Sequence, residues 1–427
     1  MAIISLIITL FITCSISELF DKYYKKAEEI LSNMTLEERV GQMFFPRFNN
    51  TTKYSDITTK YPGGFVLFAY DFNENKDIII NNMEYIQYIS LNSTKLPLGL
   101  AVDEEGGKVN RISLYHRNES FPSPHFIYNE SGLEGILKID KEKRDLLREF
   151  KMNVNLAPVA DISDDPKDYI YNRTLGYPLE ETVDYIKNDV KEYVKDNFTC
   201  CAKHFPGYGN NIDTHGDIAI DERDYNSFIQ KDFKTFEAAI KEQIPMILVS
   251  HNIVKCKDDK YPASLSKAWH DILRNELNYS GLILTDDLSM NAIKKYTGDL
   301  SPAILAINAG NDVLLTSDYY EHLEAALDAI NNKTISIKTI NTACKRIIAW
   351  KLKYLIGEDG DDGENDSDND DDKDNDDDND HTVLVICLTI VGIIVVGIII
   401  YFLLKFFVFK KNQINSELIS GGDSNLL

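Results

Sequence analysis

Ionisable side chains recur at the carboxyl ends of short apolar runs in this sequence. Carboxylates, amines and imidazoles are the groups that transfer protons and form charge-assisted hydrogen bonds with polar substrates. A purely structural domain would not need them at these positions, so the pattern predicts a catalytic or binding site. The residues concerned are, in chain order, Asp103, Asp161, Lys203, His204, His251, Asp286 and Asp287.

Eight apolar runs alternate with helical stretches over residues 18–356 and would position these side chains. Strands that alternate with helices indicate parallel βα units, and eight of them favour an α/β fold of the TIM-type (β/α)8 barrel class over an open doubly wound sheet. Barrel enzymes place their chemistry at the carboxyl ends of the strands, where the polar residues stand. The runs are 42–47, 64–69, 96–102, 152–157, 198–202, 245–250, 280–285 and 311–316.

Composition excludes some classes of protein. The 427-residue chain is 44% hydrophobic, which excludes disorder of the whole chain. Its formal net charge of −23 argues against nucleic acid as a partner, because a phosphate backbone needs a basic face. Residues 357–381 carry 15 acidic side chains and one lysine, and they are expected to form an extended, disordered linker.

Both ends of the chain predict targeting segments. Residues 1–17 contain a short apolar run followed by small residues, which is typical of a signal peptide. Residues 382–404 are uncharged and apolar over a length that predicts a transmembrane helix. Lysines follow this stretch and aspartates precede it, so the positive-inside rule predicts a single-pass type I membrane protein with a cytosolic tail at 405–427.

Other features fit this secretory topology. Eleven Asn-x-Ser/Thr sequons predict a glycoprotein. The tail ends in Asp423, Leu426 and Leu427, which resemble a dileucine signal for a sorting adaptor, so the cell surface and the endosomal or lysosomal membrane both stay open. Four cysteines allow one or two disulfides of undetermined pairing. They are Cys200, Cys201, Cys256 and Cys344.

Six segments, in order across nearly all of residues 18–356, carry a family resemblance. They are VDEEGGKVNR (102–111), NLAPVADI (155–162), NRTLG (172–176), KHFPGYGNNIDTH (203–215), LVSHNIV (248–254) and GLILTDDLSM (281–290). Together they resemble the bacterial single-domain β-N-acetylhexosaminidases of glycoside hydrolase family 3. The resemblance implies a retaining exo-β-N-acetylglucosaminidase that releases terminal N-acetylglucosamine from glycans or peptidoglycan fragments.

The resemblance also implies how catalysis is divided among the residues. Retaining hydrolysis needs a carboxylate nucleophile and a second group that first protonates the leaving oxygen and then deprotonates water. Asp286 matches the nucleophile of the family, and His215, oriented by Asp213, matches its acid/base. Asp287 is expected to point to the opposite face and cap the next helix.

The remaining motif residues are implied to bind the sugar. In an empty site, Lys203 and Arg173 are also expected to form ion pairs with nearby acids. Asn172 is a sequon beside Arg173 and is expected to be unmodified or to point outward. The implied sugar-binding residues are Asp103, Arg111, Arg173, Lys203, His204 and His251.

Departures from the family pattern keep alternatives open. Tyr208 stands where bacterial relatives usually have histidine, and the following loop is slightly shorter. An inactive sugar-binding membrane receptor is therefore an alternative, as are a β-glucosidase and a phosphorolytic variant of the same family. The Asp-x-His loop without a second lobe favours N-acetylglucosamine over glucose. No metal or nucleotide motif occurs, so no cofactor is expected.

Overall fold

Short parallel strands alternate with helices along the described part of the chain. The structure is a computed structural model, and it describes residues 18–48, 54–211, 219–297 and 300–357. All of these residues belong to one unit, Met1–Asp362, and the second unit, Gly363–Leu427, contains no described residue. The strands are β1 (Phe44–Pro46), β2 (Gly64–Leu67), β3 (Gly99–Val102), β4 (Val154–Asn155), β5 (Thr199–Phe205), β6 (Ile220–Asp221), β7 (Met246–Val249), β8 (Ile253–Val254), β9 (Leu282–Thr285) and β10 (Leu314–Thr316).

The sheet is a curled half-barrel, so the predicted closed eight-stranded (β/α)8 barrel is wrong. Six strands form one parallel sheet in the order β2-β3-β4-β5-β7-β9, while β1 pairs with β10 and β6 pairs with β8. Single bridges, Arg47 with Val66 and Leu284 with Val313, join the β1 and β10 pair to the larger sheet. The ladder is interrupted there because β1 and β10 have three residues each and Pro46 has no N–H to donate. Apolar runs predict where strands lie, but they do not predict how far the ladder extends.

Fourteen helices are assigned in the described residues, with short 3₁₀ or π segments between some of them. Several of them have an N-terminal side-chain cap. The Thr35 side chain accepts from the backbone N–H of Glu38 in a capping box, and the Ser123 side chain accepts from the backbone N–H of Phe126. The helices are α1 (Asp21–Ser32), α2 (Leu36–Gln42), α3 (Tyr54–Thr59), α4 (Lys76–Ser93), α5 (Ser113–His116), α6 (Pro124–Glu149, interrupted at Gly132), α7 (Leu179–Lys195), α8 (Tyr225–Ser227), α9 (Phe233–Lys241), α10 (Lys267–Asp271), α11 (Asn291–Thr297), α12 (Pro302–Ala309), α13 (Tyr319–Asn331) and α14 (Ile337–Lys351).

Both faces of the sheet are buried, and side chains alternate between two hydrophobic cores. Val66, Ala101 and Cys201 belong to one core, and their chain neighbours Phe65 and Leu100 belong to the other. This alternation follows from the two-residue repeat of a strand, and burial on both faces explains why the runs are apolar throughout. The repeat also fixes which residues beyond each strand end continue on the same face.

The prediction of a type I membrane protein, and of its surface or lysosomal location, is wrong for the structure as described. No helix within the described ranges is both long and apolar enough to cross a bilayer. Residues 382–404, on which the prediction depended, lie outside the described residues, as do residues 1–17, 358–381 and 405–427. A spanning helix needs about 20 consecutive apolar residues, and the helices of the described ranges do not provide them.

The four cysteines considered for disulfides are all free thiols in the structure. Cys200 and Cys201 are successive residues of β5 and point into the two different cores. Burial raises the pKa of the Cys344 thiol to about 12, so this thiol stays protonated. No disulfide forms among Cys200, Cys201, Cys256 and Cys344, although the sequence allows one or two.

A buried lysine makes the free energy of unfolding depend on pH between neutral and alkaline values. Lys351 is fully buried at the end of α14, where its Nζ donates to Gln42 Oε1 at 2.6 Å. Burial lowers the pKa of this lysine from 10.5 to about 7. Between these pH values the unfolded chain binds more protons than the folded one, so Lys351 makes the fold more stable as pH rises.

Lys351→Met is therefore expected to remove this dependence. The free energy of unfolding of the wild type, relative to the variant, should increase by up to about 1.4 kcal/mol per pH unit from pH 7 towards 10. Urea unfolding of both proteins across this range measures it. Lys338→Met, at an exposed lysine of the same helix, is the control. A difference between wild type and Lys351→Met that stays constant with pH would contradict the prediction.

Candidate active site

Residues from separate strands converge on one cavity at the carboxyl edge of the sheet. Asp103, Lys203 and Asp286 each stand two residues beyond a side chain of the same core, namely Ala101, Cys201 and Leu284. The two-residue repeat therefore directs all three to one face. They line a cavity of about 370 Å³ whose wall also includes apolar side chains of the strands, among them Val66, Leu156 and Leu248.

An ion-pair network surrounds Glu105 in the wall of this cavity. Lys203 Nζ lies 2.7 Å from Asp103 Oδ1 and 2.6 Å from Glu105 Oε1. Arg173 donates to the same carboxylate through Nη2 at 2.8 Å and through Nε at 3.0 Å. Arg111 Nη2 lies 3.4 Å from the second oxygen of Asp103. The expected ion pairing of Lys203 and Arg173 with nearby acids is confirmed.

The charges in this network stabilise one another. Burial alone would raise the pKa of Glu105, but Arg173 and Lys203 outweigh it and hold that pKa well below its usual range. Burial would likewise lower the pKa of Lys203, and Asp103 and Glu105 reverse that effect and raise it. Glu105 and Lys203 stay ionised, so the cavity presents fixed charges that can form strong hydrogen bonds with sugar hydroxyls.

His204 is held by hydrogen bonds on both sides of its ring. Its Nδ1 lies 2.7 Å from Asp161 Oδ2, and its Nε2 lies 3.3 Å from Arg173 Nη2. A carboxylate accepts from Nδ1 and an arginine donates to Nε2, so the partners fit the tautomer that carries its hydrogen on Nδ1. The backbone N–H of Tyr208 donates to the other oxygen of Asp161 at 2.7 Å. Asp161 thus connects His204 to the KHFPGYG turn.

Both aspartates after β9 line the cavity, so Asp287 does not point away from it as expected, but the two carboxylates have different hydrogen-bond partners. Asp286 is half-buried, lines the cavity, and accepts from the backbone N–H of Asp287 through Oδ1 at 2.8 Å. Asp287 Oδ1 accepts from the backbone N–H groups of Ser289 and Ser317, at 2.9 Å and 3.0 Å. It therefore stabilises the turn before α11 and ties it to the segment after β10, whereas a cap on the next helix was expected.

Not every implied site residue reaches the cavity. His251 is buried and is not among the residues that line it; its Nδ1 lies 2.7 Å from Ser264 Oγ and its Nε2 lies 3.1 Å from the carbonyl oxygen of Asp287. His251 thus contacts the backbone beside Asp286. Asp213 and His215 lie outside the described residues, in the segment 212–218. The structure brings the other implied residues together: Asp103, Arg111, Arg173, Lys203, His204 and Asp286.

Several lining residues have no counterpart among the implied ones. Glu105 stands two residues after Asp103 in the DEEGG motif, so its spacing was a signal that could have identified it. Asp161, which does not line the cavity but bonds His204, stands at a predicted strand end, and the resemblance implies no role for it. Other lining residues come from segments distant in sequence, and of these Lys108 and Asn172 lie within the quoted motifs. They are Arg47, Phe68, Lys108, Tyr169 and Asn172.

Comparison with known proteins identifies the class to which this fold and site belong. The family model of the glycosyl hydrolase family 3 N-terminal domain matches residues 35–350. The chain therefore belongs to glycosyl hydrolase family 3, and it is a glycoside hydrolase.

Individual relatives agree with this assignment. An uncharacterized secreted glycosyl hydrolase of Arthroderma benhamiae is 27% identical over 303 residues, which cover 67% of this chain and 84% of the relative. A beta-hexosaminidase of Vibrio cholerae is 28% identical over 287 residues, which cover 66% and 82%. A family 3 beta-N-acetylglucosaminidase structure from Paenibacillus sp. superposes with a TM-score of 0.70 at 26% identity, covering 82% of this chain and 68% of that one.

Proposed function

We propose that this chain is a retaining exo-β-N-acetylglucosaminidase whose catalytic unit spans residues 18–356. The observation that carries the proposal is the Asp286 carboxylate at a strand end, facing a cavity lined by Asp103, Lys203 and Glu105. The beta-hexosaminidase relatives support the same substrate class. An inactive receptor, a β-glucosidase and a phosphorolytic enzyme are not favoured.

The proposed first step forms a covalent glycosyl-enzyme. Asp286 attacks the anomeric carbon while the bond from that carbon to the leaving oxygen breaks, and His215 gives its proton to that oxygen. In the second step His215 takes a proton from water, which attacks the same carbon and releases Asp286. Two inversions give net retention, and Asp213 supports the imidazolium that forms before each proton donation.

The surrounding residues bind the sugar in this proposal. Asp103 and Arg111 hold hydroxyls on one side, while Arg173, Lys203 and His204 face the hydroxyl and acetamido side. Binding does not require these residues to become ordered, because the network about Glu105 already fixes them. His251 is reassigned from binding to support of the backbone at Asp287, which it contacts at 3.1 Å.

The full-length chain is expected to release 4-nitrophenol from 4-nitrophenyl N-acetyl-β-glucosaminide, with the first sugar product in the β-configuration by NMR. The β-glucoside should be a poor substrate, and added phosphate should not be required. Cleavage of the glucoside alone would replace the proposal with a β-glucosidase. Strict dependence on phosphate would indicate a phosphorylase, and binding of N-acetylglucosamine without turnover would indicate a receptor.

A further inference from the structure

Arg223 joins two stretches of chain on either side of the segment 212–218. Its Nη2 donates to the carbonyl oxygen of Gly207 at 3.0 Å, and the same nitrogen lies 2.7 Å from Asp221 Oδ2. Its Nη1 lies 2.9 Å from Asp232 Oδ2, and its guanidinium stacks 4.3 Å from the centre of the Phe228 ring. One side chain thus connects the KHFPGYG turn, the strand β6 and the helical segment that follows.

A second link crosses the same gap. Asn211 Nδ2 donates to the carbonyl oxygen of Tyr208 at 2.6 Å and to Asp221 Oδ2 at 2.9 Å. Residues Ile220 and Asp221 are held in turn by parallel pairing with Ile253 and Val254. The residues on both sides of 212–218 are therefore bonded to each other and to the body of the protein.

The turn packs against this arginine without room for larger residues. A Cβ at Gly207 would lie 2.2 Å from Asp232 Oδ1, and a Cβ at Gly209 would lie 2.7 Å from the Arg223 guanidinium. Both glycines have positive φ, of 126° and 58°. The close approach shows that the turn, Arg223 and Asp232 are built as one unit.

The carboxylates of this unit are buried. Asp221 and Asp232 are 3% and 2% exposed. Two buried carboxylates share one guanidinium, and removal of the cation would leave both without their charged partner. Arg223 therefore supplies the ionic link between the two stretches of chain, beside the hydrogen bonds of Asn211.

We propose that Arg223 is a positioning residue for the acid/base step, because it fixes the separation between the two attachment points of the segment that carries Asp213 and His215. The inference rests on the proposed function, in which His215 gives a proton to the leaving oxygen. Arg223 does not line the cavity and is not proposed to touch the sugar. Its loss should impair proton transfer to the leaving group more than it impairs sugar binding.

Leaving groups of different acidity separate this role from a structural one. Phenol needs a proton as it leaves, whereas 2,4-dinitrophenol leaves as a stable anion. Arg223→Met is expected to lower kcat/KM for the phenyl β-N-acetylglucosaminide about 10²-fold more than for the dinitrophenyl compound, which is the scale of lost general-acid catalysis. In Arg223→Lys the losses of kcat/KM on the two substrates should differ by less. In His215→Ala they should differ by the whole amount expected when the general acid is lost.

Arg274 offers a matched control elsewhere in the fold. It also pairs with a buried carboxylate, Asp312, and donates to the backbone carbonyls of Tyr279 and Gly281 at 2.9 Å and 2.6 Å, but it does not line the cavity. Arg274→Met should lower activity on both substrates by the same factor. An equal loss on both substrates in Arg223→Met would overturn the inference.

The remaining outcomes each count for or against one claim. If Arg223→Met does not fold, Arg223→Lys and Asp232→Asn carry the same comparison. Variants that lose the same activity on the phenyl and the dinitrophenyl substrate would likewise overturn the positioning role. If His215→Ala shows the leaving-group difference and no Arg223 variant does, only this inference fails. If the wild type cleaves neither substrate, the proposed function fails and the inference falls with it.

Discussion

Asp286→Asn is expected to lower kcat on 4-nitrophenyl N-acetyl-β-glucosaminide by about 10⁴-fold or more, because an amide cannot form the glycosyl ester. The sugar should still bind, since the amide occupies the same volume and the charged residues about Glu105 are unchanged. Steady-state kinetics of the purified full-length variant measure the loss. Binding of N-acetylglucosamine by calorimetry shows that the site remains folded.

The adjacent aspartate is the control. Asp287→Asn alters a carboxylate that bonds the backbone of Ser289 and Ser317, so it should lower thermal stability and keep substantial turnover. Mass spectrometry after reaction with a slowly hydrolysed 5-fluoro glycosyl fluoride should find the sugar on the peptide that contains Asp286. Equal losses in the two variants, or label on a different peptide, would refute the assignment of the nucleophile.

Glu105→Gln is expected to destabilise the fold by about 3 kcal/mol, because it leaves the buried Lys203 and Arg173 with less negative charge to compensate them. Asp103 still pairs with Lys203, which keeps the loss at the lower end of the range for broken buried pairs. Urea unfolding at pH 7 measures this change. Glu130→Gln, at an exposed glutamate, is the control.

The same variant has a defined pH signature. The pKa of Glu105 in the folded protein lies below its ordinary value of 4.5, so the unfolded chain binds more protons between the two values. The contribution of Glu105 to stability is therefore fully present above about pH 4.5 and is lost as the pH falls towards the folded pKa. The stability difference between wild type and Glu105→Gln should shrink on acidification below pH 4.5, and a difference that grows would contradict the ion-pair interpretation.

Residues that follow directly from strand periodicity were predictable from the sequence. Asp103, Lys203 and Asp286 stand at the ends of apolar runs, and those runs form the strands β3, β5 and β9. Once the strands are parallel, their carboxyl ends meet at one edge, so the three side chains converge. Family membership was recoverable for the same reason, since its motifs lie at these strand ends.

Residues that depend on loop paths were not predictable in this way. His251 also ends a run, yet its ring is directed to Ser264 and to the backbone of Asp287. Arg223 carries no periodic or motif signal, and its partners Gly207 and Asp232 become neighbours through the folding of the intervening chain. The partners of Glu105 lie 68 and 98 residues away along the chain, at Arg173 and Lys203.

The sequence by itself determined the strand positions, the polar residues at their ends and the family, because all three are local patterns of residue type and spacing. The tertiary structure alone decided that the sheet is a curled half-barrel, that the four cysteines stay free thiols, and that Glu105 and Arg223 are the centres of ion-pair networks with buried carboxylates. Ladder continuity and charge pairing depend on which distant segments meet. That choice is made by packing over the whole domain, which no local pattern encodes.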